Sequence, residues 1–152
     1  MSKRVRWLNA RERRAWLELV RIMTLLPTTL DAQLRRDSDL NQYEYIVMGR
    51  LAERTDRTMG MKALAVVTNG SLSRLSHVVK RLEADGYAYR ESHPSDGRLT
   101  RVVLTDKGFQ KVTEAAPGHV CEVRRHVFDH LTAEDVVQLG ELLSRIAPDA
   151  SW

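Results

Sequence analysis

Between Ser71 and Thr105 the apolar period of the chain changes once, and that change narrows the choice of fold more than any other feature. The stretch SLSRLSHVVKRLEADGY places Leu72, Leu75, Val79 and Leu82 at i, i+3, i+7 and i+10, the spacing of one buried helical face. Asn69-Gly70 marks a turn before it, and Ser71 is suited to cap its start. Asp85-Gly86 ends it, with Gly86 suited to a left-handed C-terminal position. YAYRES and LTRVVLT follow as β-prone runs separated by HPSDGR, which predicts a hairpin with a moderately long tip.

The flanking segments read as helices. Asn9 with Glu12 predicts a capping box. Trp16, Leu19, Val20, Met23 and Leu26 then form one stripe. Pro27 is expected to kink this helix, because its ring opposes the Met23 carbonyl, and RRDSD is expected to break it after Leu30 and Leu34. Asn41 with Glu44 opens a second helix with an apolar face of Tyr43, Ile46, Val47 and Leu51. ERTDRTMG breaks the pattern, and a short third helix spans about Lys62 to Val67. Thr105 caps a long helix that Pro117-Gly118 should bend or interrupt, with Val120, Val123, Val127 and Leu131 continuing its seam. Thr132 caps a last helix bearing Val136, Leu139, Leu143 and Ile146. The expected fold is therefore mainly α: a winged helix-turn-helix with a small β-hairpin wing, and a helical dimerisation domain formed by the N- and C-terminal helices. The expected division is 1–40 and 106–152 for the helical dimerisation region and 41–105 for the winged helix-turn-helix lobe.

A length of 152 residues suits one domain with a core, or one domain plus an oligomerisation element. No apolar run approaches the roughly 20 residues that a membrane-spanning helix needs. MSKRVRWLNARERR is charged without an apolar core run, so no secretory leader is expected. A single cysteine, Cys121, excludes an internal disulfide and fits a reducing cytoplasm. The net charge of +4 favours an anionic partner such as nucleic acid.

The polar side of the helix that begins at Ser71 sharpens that expectation. Ser73, Arg74, Ser76, His77, Lys80 and Arg81 occupy it, and no acid appears before Glu83. An ordinary solvated face mixes signs. Short hydroxyl side chains at Ser71, Ser73 and Ser76 permit close approach, and Arg74 can donate two parallel hydrogen bonds to a guanine edge. Ser71 through His77 are thus candidates for base edges, with Lys80 and Arg81 on phosphate. Arg98 on the hairpin tip could enter a minor groove, with Asp96 pairing to direct it. A bare turn and a solvated arginine would be the bland alternative for an isolated hairpin; one directly behind a basic helix argues otherwise.

LAVVTNGSLSRLSHVVKRLEADGYAYR, the wing SDGR and VLTDKG together resemble the MarR family of bacterial transcriptional regulators. The resemblance implies a cytoplasmic homodimer with interlocked first and last helices, which binds a palindromic double-stranded DNA operator. It implies a repressor, often released by a small phenolic or anionic effector, and no cofactor. By position, recognition-helix contacts fall on Ser71, Ser73, Arg74, Ser76 and His77, with Lys80 and Arg81 toward the backbone and Asp96 and Arg98 on the wing. Many relatives carry Asp-Arg-Arg in the wing; here Gly97 takes the middle place and removes one cation. The family's ligand pocket lies between the dimer helices and the winged lobe, which makes Trp16, Tyr43, Tyr45 and Arg50 candidates, since aromatics plus a cation suit a phenolic acid.

Other chemistries are weaker. His126 and His130 stand at i, i+4, with Glu122, Cys121 and His119 nearby, yet no fourth zinc ligand is evident and no metal is expected. Cys121 has no resolving cysteine for a redox switch. Neither a nucleophile elbow nor a phosphate-binding glycine loop occurs, so no enzyme is expected. The rival reading is a dimeric small-molecule or metal binder whose winged helix contacts protein; the acid-poor face of Arg74, His77, Lys80 and Arg81 argues against it.

Overall fold

The structure is a computed structural model that describes residues 5–147. The ends of the expected dimerisation region, 1–4 and 148–152, lie outside the described residues. Helix α1 (Ala10–Ser38) begins at Asn9, whose side chain accepts the Arg11 and Glu12 amides while Glu12 answers through the Asn9 N–H. Pro27 does not divide it: the helix continues on both sides. Its missing hydrogen bond sits among threonines, with Thr24, Thr28 and Thr29 donating back to the carbonyls of Val20, Thr24 and Leu25. RRDSD is not a break either. Arg35 pairs with Asp31 at 2.6 Å along the helix, and the end comes only where Asp39 turns left-handed at φ 51°.

Helix α2 (Gln42–Ala52) opens with the Asn41–Glu44 capping box. Strand β1 (Thr58–Gly60), helix α3 (Met61–Val67) and helix α4 (Leu72–Ala84) follow, then strands β2 (Ala88–His93) and β3 (Asp96–Leu104). The sheet has three strands in the order β1-β3-β2, all antiparallel, rather than the expected pair. β1 is only Thr58-Met59-Gly60, registered on Val103, Val102 and Arg101. Three residues are too short to show a period, and their partners lie more than forty positions away. The hairpin tip is also tighter than expected. His93 pairs with Asp96 beyond an irregularity at Ser92, which leaves only Pro94 and Ser95 to turn the chain.

The core lies within this lobe. Leu75, Val78, Val79 and Leu82 of α4 pack with Val47, Met48 and Leu51 of α2, Leu64 of α3, and Val102 and Leu104 of β3. Leu72 does not share that face as expected: it is 48% exposed, and Val78 completes the buried set. Leu72 is the first helical residue, and side chains lean toward the helix start, so it projects past the docking seam.

Helix α5 (Asp106–His126) runs through Pro117-Gly118 without interruption. It stops at His126, and a 3₁₀ turn (Phe128–His130) breaks the expected seam between Val123 and Leu131 before α6 (Ala133–Ile146). No residue of α6 is buried, and the buried residues of α1 begin at Leu30. Both flanking helices therefore turn apolar side chains outward, including Trp16, Leu17, Met23, Val137, Leu142 and Ile146.

The α4–wing–α5 junction is closed by Thr105, whose hydroxyl donates to the Gly86 carbonyl at 2.8 Å and accepts the Gly108 N–H. A Cβ at Gly108 would overlap the Tyr87 carbonyl oxygen and press on Leu104. Gly108→Ala should therefore destabilise the fold by about 2 kcal/mol in denaturant unfolding, although alanine alone would favour the helix by about 1 kcal/mol. A neutral or stabilising result would show that this packing is not tight.

Candidate nucleic-acid interface

The turn between α3 and α4 positions the start of the basic helix. Asn69 adopts a left-handed φ of 52°, and the Gly70 N–H donates to the Ala65 carbonyl. Ser71 then caps α4 by accepting the Arg74 N–H at 3.1 Å. With the apolar seam inward, Ser71, Ser73, Arg74, His77, Lys80 and Arg81 are exposed and Ser76 is half-buried. This part of the expected site is brought together on one surface.

Two of its cations are engaged from below. The Arg74 guanidinium lies 4.0 Å from the Tyr43 ring centroid, a cation–π arrangement. Tyr43 is buried and its hydroxyl is 3.0 Å from Thr68 Oγ1, which in turn donates to the Leu64 carbonyl. A Cβ at Gly70 would collide with the Tyr43 hydroxyl end, so the turn needs glycine for space. Arg81 pairs with Glu44 at 3.1 Å, where the Glu44 side chain is only 4% exposed. That carboxylate also accepts the Asn41 N–H in the α2 capping box. Lys80 and His77 carry no ion pair among the described residues.

The wing projects beside α4. Asp96 accepts the Arg98 backbone N–H at 3.0 Å rather than pairing with its guanidinium, so it shapes the tip and leaves the Arg98 side chain exposed. Arg90 forms a forked pair with Glu83 at the end of α4, and these hydrogen bonds hold the Glu83 carboxyl below the usual range. Arg101 pairs with Glu91 across the strands. Among the described wing arginines, Arg98 alone has no carboxylate partner. A cleft of about 580 Å³ separates α4 from the wing and is lined by Met61, Lys62, Ala63, Leu72, Ser76, Arg98 and Leu99 among others. Sequence spacing gave no warning of Leu72 here, since it matched the buried period.

The four expected pocket residues are not brought together. Tyr43 lies beneath Arg74, while Tyr45 packs on His119 with ring centroids 4.5 Å apart. Trp16 is half-exposed on α1, and Arg50 pairs with Glu53 at 3.0 Å. A groove of about 1010 Å³ does open between α1, the start of α2 and α4. Pro27, Asp31, Arg35, Tyr43, Arg74 and His77 contribute to its lining. Of the four candidates, only Tyr43 reaches it.

Among the described residues no group of three or more His, Cys, Asp and Glu side chains is placed to hold a metal ion. His126 bonds Glu122 at 3.0 Å within α5, whereas His130 belongs to the following 3₁₀ turn. Cys121 is exposed. None of the described helices is long and apolar enough to cross a membrane.

A helix-turn-helix whose second helix carries a capped, cation-bearing face beside a projecting β-hairpin defines a winged-helix regulator. No family model matches the chain. It is 41% identical to Sco3205, a MarR family transcriptional regulator from Streptomyces coelicolor solved in complex with DNA. That match covers 96% of this chain and 91% of that one, with a TM-score of 0.91. AbsC, another MarR family regulator from Streptomyces coelicolor, is 36% identical over 95% of this chain and 97% of its own, with a TM-score of 0.89. The HTH-type transcriptional regulator MhqR of Bacillus subtilis is 29% identical over 114 residues, 73% of this chain and 74% of its own. The chain belongs to the MarR family of transcriptional regulators, a family of regulators and not of enzymes.

His119 gives a test of the α1–α2–α5 junction. Its Nδ1 is buried without a hydrogen-bond partner, as is the Gln33 Oε1. Burial lowers its pKa from the ordinary 6.5. The folded chain therefore holds the proton more weakly than the unfolded one. Stability from this group is complete above pH 6.5 and is lost as pH falls through that value toward the lower folded pKa. Unfolding free energies measured from pH 8 to 5 should show this decline, and His119→Gln should remove that component; an unaltered profile would place the imidazole in water.

Proposed function

We propose that the protein is a homodimeric, sequence-specific DNA-binding repressor that recognises an inverted-repeat operator. The observation that carries this reading is the exposed α4 face of Ser71, Ser73, Arg74, His77 and Lys80 beside an Arg98 that no carboxylate among the described residues neutralises. The DNA complex of Sco3205, a 41% identical relative, supports it. Ser71 through His77 approach base edges, with Ser76 at the rim of the cleft. Lys80 contacts phosphate, and Arg81 does so through the part of its guanidinium left exposed by Glu44. Asp96 holds the wing tip so that Arg98 enters the minor groove.

Residues 1–40 and 106–152 form the dimerisation region and 41–105 the reading lobe. Support comes from the outward apolar stripes of α1 and α6, which a second copy would cover. Two-fold symmetry would set the reading helices roughly 34 Å apart, one turn of DNA, and so require an inverted repeat. A small phenolic or anionic effector fits the groove between α1, α2 and α4, where Arg74 lies over the Tyr43 ring and His77 contributes to the lining. The protein then works in the cytoplasm, where DNA and effector are both at hand.

Light scattering should give twice the mass of one chain; a monomer would overturn the two-fold arrangement. In gel shifts, Arg74→Ala should weaken operator binding by about 1–3 kcal/mol and relax one base preference. Arg98→Ala should reduce the salt dependence by about one phosphate contact. Parent-like binding of operator and random DNA by both variants would remove α4 and the wing from the interface.

A further inference from the structure

Leu72 is out of place for a core leucine. It is the first residue of α4 and is 48% exposed, while every other leucine and valine of that helix is buried. It is not an isolated apolar spot. Leu99, Met61 and Ala63 line the same cleft, and Leu99 on the wing is also substantially exposed. Lys62 and Arg98 also line the cleft and give this apolar patch a cationic surround.

Such a surround fits the charge of a nucleic-acid strand, but the apolar floor adds nothing to phosphate attraction. It needs an apolar group delivered by the same ligand. On the major-groove edge of a base pair only one such group exists, the 5-methyl of thymine. Leu72 sits where a helix start would meet that edge, flanked by the short side chains of Ser71 and Ser73, which let the backbone come close.

We propose that Leu72 is a specificity-determining residue that reads the 5-methyl group of a thymine in each operator half-site. The inference rests on α4 being the DNA-reading helix and adds a base to what that helix selects. Leu72 supplies contact and water exclusion only. Its part in binding is therefore independent of salt, unlike that of Lys80 or Arg98.

The test uses the full chain and duplexes selected with it from a random pool. Each thymine of the selected site is replaced singly by deoxyuridine, which differs only in lacking the methyl group, and Kd is measured at one salt concentration. One position per half-site should lose about fourfold in affinity, the worth of one buried methyl group. Leu72→Ala should bind the thymine and deoxyuridine duplexes alike with an unchanged salt slope, while Leu72→Met should keep a preference for the methyl. A selected site whose deoxyuridine duplexes all bind as the parent overturns the role of Leu72 and leaves the DNA-reading function standing. The same thymine preference in Leu72→Ala as in the parent also overturns it. A pool yielding no enriched sequence overturns the proposed function, and this inference with it. The deoxyuridine series on the unaltered chain needs no substitution, so the absence of any methyl-sensitive position overturns the role of Leu72 whatever the variants' folding.

Discussion

Burying Leu75, Val78, Val79 and Leu82 sets the rotation of α4 about its own axis, and the reading surface follows from that angle. A helix offers about 100° per residue, so turning this seam by one position would bury Arg74 or His77 and expose a leucine. Removing apolar area from water supplies the force that resists such a turn. The polar face is thus the complement of the packed one. Tyr43 and Glu44 then engage Arg74 and Arg81 from α2, so the same docking that makes the core also places two cations of the face.

The helix starts were legible because their chemistry is local. Asn9, Asn41, Ser71, Thr105 and Thr132 each accept a backbone N–H within three residues, and such a contact can be read from spacing. Features that depend on distant partners were not. β1 exists only because Val102 and Val103 offer an edge to Thr58 and Met59. The tight turn at Pro94-Ser95 reflects a register slip near His93 rather than any composition of the loop. Pro27 was expected to kink its helix and Pro117-Gly118 to bend or interrupt another, yet α1 and α5 each run through their proline.

Charge is where sequence and surface diverge most. An acid-poor face was expected on α4, and the expectation holds along the helix itself. The acid arrives from elsewhere: Glu44 reaches Arg81 from another helix. Glu83, which seemed to end the basic run, instead neutralises Arg90 of the wing. Counting arginines would credit the wing with three cations of equal standing. Pairing leaves Arg98 as the one aimed outward without a carboxylate.

Glu44 also has a mechanical side. One oxygen closes the first turn of α2 and the other holds Arg81, both with the carboxylate out of water. Displacing the start of α2 must either drag α4 along or strand a buried negative charge, and the second course is the costlier. The two helices therefore act as a welded joint. In the proposed dimer, the spacing between reading heads would change by tilting whole lobes, and a small molecule wedged between α1 and α2 would gain the leverage of the lobe's full width.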